Sequence, residues 1–231
     1  MSLLGSEDVG AIALSLKVAV TATVLGLPIA LAVAYALARG RFPGRSLLDA
    51  VTHLPLVLPP VATGFALLVL FGPRGPLGHA LSAIGVTIAF RWTGAALAAG
   101  IMAFPLMVRP IRLSIEAIDR EVDEAARTLG AGPLTRFFRI TTPLAAPGLA
   151  AGAVLGFAKA LGEFGATITF AAAIPGETLT LPADIYQAAQ TPGEEPHAIA
   201  LCAIAAVIAV AAALTSEALA GRFATRTRAG I

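Results

Sequence analysis

"GLAAGAVLGFAKALGEFGATITFAAA", Gly148 to Ala173, carries only two charges, Lys159 and Glu163, in an otherwise apolar run. A helix needs ~20 mostly apolar residues to cross a hydrocarbon core, and this run exceeds that, so it reads as a membrane span. Each charge would cost ~2.5 to 3.5 kcal/mol at a bilayer centre, so both must face protein or water. Placed i,i+4 on one helix, they sit beyond the middle of the membrane: at 1.5 Å per residue Lys159 lies ~20 Å from Ala146, in a core ~30 Å thick. Two readings stay open. Lys159 draws an anion along a pathway while Glu163 holds it, or the pair neutralises itself and stabilises packing; a net-neutral pair makes a poor anion well. Gly148, Gly152 and Gly156 recur every four residues, the spacing that lets membrane helices approach closely, within one subunit or across a dimer axis.

The rest of the chain repeats this character. Of 231 residues, 57% are hydrophobic and 13% charged, against ~25% charged in a soluble domain. Candidate spans fall at about Ala11 to Ala38, Val51 to Phe71, Thr93 to Val108, Leu144 to Ala173 and Ala198 to Ala220. The expected fold is an all-α integral membrane protein with about five transmembrane helices in one domain, residues 1–231. The start, "MSLLGSEDVG", lacks a basic n-region, so no cleaved leader is expected. Cys202 is the single cysteine, which excludes a disulfide framework or a cysteine metal site. No phosphate loop, H-E-x-x-H, G-x-S-x-G or clustered His/Asp/Glu set is found in the sequence, so neither catalysis, ATP binding nor a metal is expected in this chain.

Arginine distribution orients the spans. Arg39, Arg41 and Arg45 follow the first, Arg109 to Arg139 fill the gap between third and fourth, and Arg222, Arg226 and Arg228 end the chain. With five spans these segments share one side, the cytoplasmic one by the positive-inside rule, which puts the N-terminus outside. The opposite segments hold Arg74 and Arg91 against Glu177, Asp184, Glu194 and Glu195. Arg91 and Trp92 read as interface anchors of the third span, and His53 as a solvated interfacial residue. In the second span, "HLPLVLPPVATG", Pro55, Pro59 and Pro60 cannot all keep helical hydrogen bonds, so a break is expected there.

The longest cytoplasmic segment, about residues 112–142, contains "IDREVDEAARTLGAGPLTRFFRITTPL". Asp119 suits an N-cap and Gly130 the left-handed position that ends a helix. Ile118, Val122, Ala125 or Ala126, and Leu129 recur on one face, and Arg120 with Glu124 and Asp123 with Arg127 are i,i+4 pairs. Pro133 can start a second helix carrying Leu134, Phe137 and Phe138. A helical hairpin results, which could lie on lipid or receive a partner.

"EAARTLG", followed by nine residues and then Ile140, Thr141, Thr142 and Pro143, resembles the loop of permease subunits of bacterial ABC importers, whose pattern is EAA, three residues, Gly, nine residues, I-x-L-P. Thr142 departs from the Leu of that pattern. "LGEFGATITF", "IPGETLTLPADIYQAAQTPG", "HLPLVLPP", "FPLMVRPIRL" and "ARTLGAG" are similar to the molybdate branch, so the resemblance covers nearly the whole chain. It implies a coupling helix that docks on a separate ATPase subunit through Glu124, Ala125, Ala126, Arg127 and Gly130. It also implies a translocation path near Lys159, Gly162, Glu163, Phe164, Gly165 and Thr167. Further implications are two ATPase copies holding ATP and magnesium, an extracytoplasmic binding protein for molybdate and also tungstate or, as an alternative, sulfate, and a homodimer in the bacterial inner membrane working by alternating access. A secondary transporter would instead call for internal repeats and midplane acids, and a scaffold for some other partner on the loop.

Overall fold

The computed structural model describes residues 5–229, with side chains up to residue 212 and at Leu214. In chain order the helices are α1 (Ser6–Arg39), α2 (Arg45–Val57), α3 (Pro60–Phe71), α4 (Pro76–Ser82), α5 (Trp92–Glu116), α6 (Arg120–Thr128) and α7 (Pro133–Arg136). A π-helical turn at Phe137–Thr141 follows, then α8 (Thr142–Leu144), α9 (Ala146–Leu161), α10 (Gly165–Ala171), α11 (Leu181–Gln190) and α12 (Glu195–Ala229). Among the described residues there is no strand. Three helices are long and apolar enough to cross a membrane alone: α1, α5 and the part of α12 from Glu195 to Ala212. Two bent pairs, α2 with α3 and Pro133–Leu144 with α9, bring the number to five if each is one span.

Helices α1, α5 and α9 form the centre. Their shared core is built largely of small residues, Ala19, Ala22, Ala30, Ala34, Ala99 and Ala103, around Met107, Val108 and Ile111. Larger side chains on α1 point outward, Val24 at 61%, Leu25 at 66% and Ile29 at 58% exposure. Lipid solvates such groups as well as protein does, so close backbone approach through small residues decides which faces meet. The glycine stripe of α9 shows the same logic. A Cβ at Gly148 would stand 2.4 Å from Ser114 Cβ, one at Gly152 2.8 Å from the Met107 carbonyl oxygen, and one at Gly156 2.5 Å from Met107 Cγ. The stripe therefore seats α9 on α5 of the same chain, which decides between the two packings the spacing left open.

The second span breaks where its prolines fall. Leu58 and Pro59 are extended or non-helical, and α2 meets α3 at 115°. At 12 residues, α3 is about 18 Å long and cannot cross a ~30 Å core by itself. The third span is longer than expected: α5 runs to Glu116 instead of Val108, carrying Pro105 and Pro110 inside it. Trp92 is its first residue, and Lys17 of α1 lies 3.6 Å from the Trp92 ring centroid, a cation–π contact that gives the ring a protein partner. The fourth span departs most from expectation. Instead of one helix from Leu144 to Ala173, α9 stops at Leu161 and α10 begins at Gly165, for reasons set by Glu163. The fifth span is α12, whose side chains Arg222, Arg226 and Arg228 lie outside the described ones.

Candidate functional site

The hairpin forms as its residues dictate. Asp119 Oδ1 accepts from the Glu121 N–H at 3.0 Å, capping α6 and satisfying a donor that has no intrahelical partner. At the other end Gly130 has φ +82°, while the Ala131 N–H reaches back to the Ala126 carbonyl at 2.9 Å. That six-to-one bond around a left-handed glycine is a Schellman ending. Pro133 then starts α7. Asp123 pairs with Arg136 across the hairpin, not with Arg127 as the i,i+4 spacing suggested, and Arg120 and Glu124 form no ion pair either. The apolar face also differs from expectation. Ala126 is 8% exposed and Ile118 packs on the core, but Val122 (41%), Leu129 (87%), Leu134 (72%) and Phe138 (64%) are turned outward. Phe137 instead packs edge-on against Tyr35 of α1, centroids 4.9 Å apart. The π turn that follows has a cause in Pro143, which has no N–H to offer the Arg139 carbonyl.

Between the hairpin and the end of α1 lies a polar cavity of about 670 Å³, where Arg39, Arg41, Arg45, Arg120, Arg127 and Arg136 meet Glu116, Asp123 and Glu124. Arg39 spends its guanidinium internally, donating to the carbonyls of Ile115 at 3.2 Å and Ile118 at 2.8 Å. Ile115 lies in the last turn of α5 and Ile118 just past it, and the Ile115 carbonyl also accepts from the Ile118 N–H at 3.2 Å. Phe137 on Tyr35 ties the hairpin to α1, and Arg39 ties α1 to the end of α5.

The intramembrane break gathers the second set of residues. Gly162 ends α9. Glu163, 2% exposed, accepts from Lys159 Nζ on Oε2 and from the Ala166 N–H on Oε1 at 2.9 Å. It therefore lies past the end of the helix that carries Lys159, contrary to a single continuous helix, and its carboxylate accepts from the buried Ala166 amide in the first turn of α10, which has no intrahelical partner. Thr167 Oγ1 donates to the carbonyls of Glu163 at 3.1 Å and Phe164 at 2.9 Å, so the turn satisfies its own backbone within the membrane. Gly165 packs against Pro60, and Gly64 of α3 against the Ala166 carbonyl, 2.6 Å from where a Cβ would be. The break in the fourth span is thereby packed on the break in the second.

A third group escaped the sequence. Asp8 at the start of α1, Asp184 on α11 and His197 at the start of α12 place their ligand atoms within 4.8 Å of one another, where no clustered His/Asp/Glu set was expected. They are separated by 176 and 13 positions, so only the packing of α11 between the helix ends, aided by the Leu181 N–H donating to Ser15 Oγ at 2.7 Å, brings them together.

Comparison with known proteins fixes the family. The sequence profile described as "Binding-protein-dependent transport system inner membrane component" matches residues 26–229. The chain belongs to that family. It is 53% identical over 221 residues to the "Molybdenum transport system permease protein ModB" of Escherichia coli (strain K12), covering 95% of this chain and 96% of that one. It is 49% identical to the protein of the same name from Haemophilus influenzae, over 93% and 94% of the two chains. The "Sulfate transport system permease protein CysW" of Synechococcus elongatus is more distant, at 39% identity over 92% and 75%. Among solved structures, a bacterial ABC transporter importing the acidic polysaccharide alginate superposes with TM-score 0.77 at 19% identity, over 95% of this chain and 80% of that one. The inward-facing MetNI methionine ABC transporter gives 0.68 at 15%, over 94% of each. The fold is that of ABC transporter permeases, and this family member is a permease subunit, the ATPase being a separate one.

Proposed function

We propose that the chain carries molybdate into the cytoplasm as the permease of an ATP-driven importer. The observation that bears most weight is 53% identity over 95% of the chain to a molybdenum transport permease, against 39% to a sulfate permease. Molybdate and sulfate are both tetrahedral dianions, so charge does not separate them, and selectivity rests on the hydrogen-bond shell of a binding protein.

The hairpin is the docking element for the ATPase subunit. Leu129, Leu134 and Phe138 offer exposed apolar contacts, and Glu124 and Arg127 have no ion pair among the described residues to give up. Glu124, Ala125, Ala126, Arg127 and Gly130 make the coupling helix and its turn. ATP and magnesium sit on that partner, two copies of which face two copies of this chain. The broken segment from Lys159 through Gly162, Glu163, Phe164 and Gly165 to Thr167 borders the path, with the ion pair holding its shape rather than binding the cargo. ATP binding draws the two hairpins together, the breaks shift against each other, and the path opens outward to a binding protein; hydrolysis resets it. The N-terminus is extracytoplasmic and the arginine-rich face cytoplasmic.

Reconstitution of the permease with its ATPase in vesicles, with the cognate binding protein supplied, tests the reading. Molybdate and tungstate drive uptake and stimulate hydrolysis, and sulfate at equal concentration does neither. Equal stimulation by sulfate overturns the cargo, and hydrolysis-independent uptake overturns the importer. Mass measurement of the complex yields two copies of this chain; one copy at full activity refutes the homodimer.

A further inference from the structure

At the end of α1 opposite Arg39, about 47 Å away along the helix by its 1.5 Å rise, a cavity of about 820 Å³ contains Asp8, Asp184 and His197 together with Glu7 and Glu194. Asp8 is 6% exposed and Asp184 9%. Asp8 is partly satisfied: Oδ2 accepts from the Gly5 N–H, and Oδ1 lies 3.2 Å from His197 Nε2. Asp184 is not. Its Oδ2 is buried and has no hydrogen-bond partner among the described residues, and leaving a charged acceptor in that condition is costly. Four carboxylates, Glu7, Asp8, Asp184 and Glu194, line the cavity beside one imidazole, His197. The site is short of positive charge.

We propose that Asp8, Asp184 and His197 bind one divalent transition-metal cation of the zinc class, clamping the outer ends of α1, α11 and α12. One imidazole and two carboxylates are borderline ligands of the kind zinc and its neighbours take, with metal–ligand distances near 2.0–2.2 Å. Calcium would call for six to eight oxygens instead. Donor atoms within 4.8 Å of each other need only side-chain rotation to close on such an ion, and three protein ligands leave a position for water or a further group. The ion supplies the charge that Asp184 lacks. It also fixes α11 against two membrane helices at the face away from the coupling hairpin. The inference does not depend on which oxyanion is carried.

Purified full-length chain in detergent, stripped with chelator, is titrated with Zn²⁺ by calorimetry and with Co²⁺ by visible absorption. Wild type binds one ion per chain, Co²⁺ develops a ligand-field band, and Zn²⁺ raises the thermal unfolding midpoint. Asp184→Asn, Asp8→Asn and His197→Gln each weaken affinity by at least about tenfold, on the scale metal sites lose when a supporting group is removed, and abolish the midpoint shift. Elution on size exclusion identifies any variant that misfolds, and the remaining two then decide. Binding by wild type no tighter than by the triple variant, or a Co²⁺ spectrum unchanged by all three substitutions, overturns the site.

Discussion

Lys159 donates its ammonium to Glu163, and the two straddle the point at which the fourth span stops being a helix. Removing one partner of a buried pair costs about 3–5 kcal/mol, because the other charge is left uncompensated. Here Lys159 is 29% exposed and Glu163 1% by side chain, so water can take up part of a lone lysine but little of a lone glutamate. Lys159→Met is therefore the more damaging single change. The double variant Lys159→Met with Glu163→Gln keeps an acceptor for the Ala166 N–H and removes both charges. It is expected to unfold within about 1 kcal/mol of wild type, since replacing a whole buried pair is often neutral, and to retain uptake. Chemical denaturation in detergent and a vesicle uptake assay check both halves; a stable double variant without transport would give the pair a direct role in the path.

Packing of α9 on α5 predicts an order among glycine substitutions. At Gly152 the obstacle is the Met107 carbonyl oxygen, which belongs to a helix backbone and cannot move, whereas at Gly156 it is the Met107 side chain, which is flexible. Overpacking costs typically 1–3 kcal/mol, so Gly152→Ala falls near the top of that range and Gly156→Ala near the bottom. Met107→Ala should rescue Gly156→Ala and not Gly152→Ala. Unfolding midpoints of the four variants decide it, and rescue of both would show that the carbonyl is not the limiting contact.

How much of this was legible in the sequence depended on the range of the interaction. Asp119, Gly130 and Pro133 act on neighbours a few residues away, and the hairpin they promise is the one observed. Pro59 and Pro60 likewise announce their break, while Pro55 stays inside α2. The interruption after Leu161 was hidden because its cause is a side chain, Glu163, whose spacing from Lys159 suits a continuous helix as well as a turn. Asp123 chose Arg136 over Arg127 because the hairpin's second arm came nearer than the next helical turn. Asp8, Asp184 and His197 left no signal at all, since nothing local links positions so far apart. Lys17 gave none either, for its partner Trp92 lies across α1 and α5.

If the hairpin docks the ATPase as proposed, its turn is more demanding than its surface. Gly130 adopts φ +82° and donates its N–H to the Arg127 carbonyl at 3.0 Å. Gly130→Pro forces a negative φ and removes that donor, so the ATPase should no longer copurify although the protein still inserts. Gly130→Ala retains the donor and pays about 1–2 kcal/mol for the left-handed backbone, so docking weakens without vanishing. A bulky residue at the buried Ala126 should act like proline. Pull-down of the ATPase with membrane-inserted variants measures this, and normal copurification with Gly130→Pro would refute the coupling assignment.

The two bent helix pairs each allow a broken span or a re-entrant loop, and the position of the chain on either side distinguishes them. If α2 and α3 together cross the membrane, a reporter fused at Arg45 is cytoplasmic and one at Pro76 is outside; if the 115° bend returns the chain, both report the same side. The arginines favour crossing, because Arg39, Arg41 and Arg45 precede the pair whereas Arg74 alone follows it closely. The same reasoning applies to Glu124 and Glu177 about α9, where the acidic outer segment contrasts with the basic hairpin. Fusions at Arg45, Pro76, Glu124, Glu177 and Arg228 are expected to alternate in, out, in, out, in. A cytoplasmic signal at Pro76 would make α2 and α3 a re-entrant loop, reverse the side on which every later segment lies, and separate the hairpin from the arginines of α1 that the structure places against it.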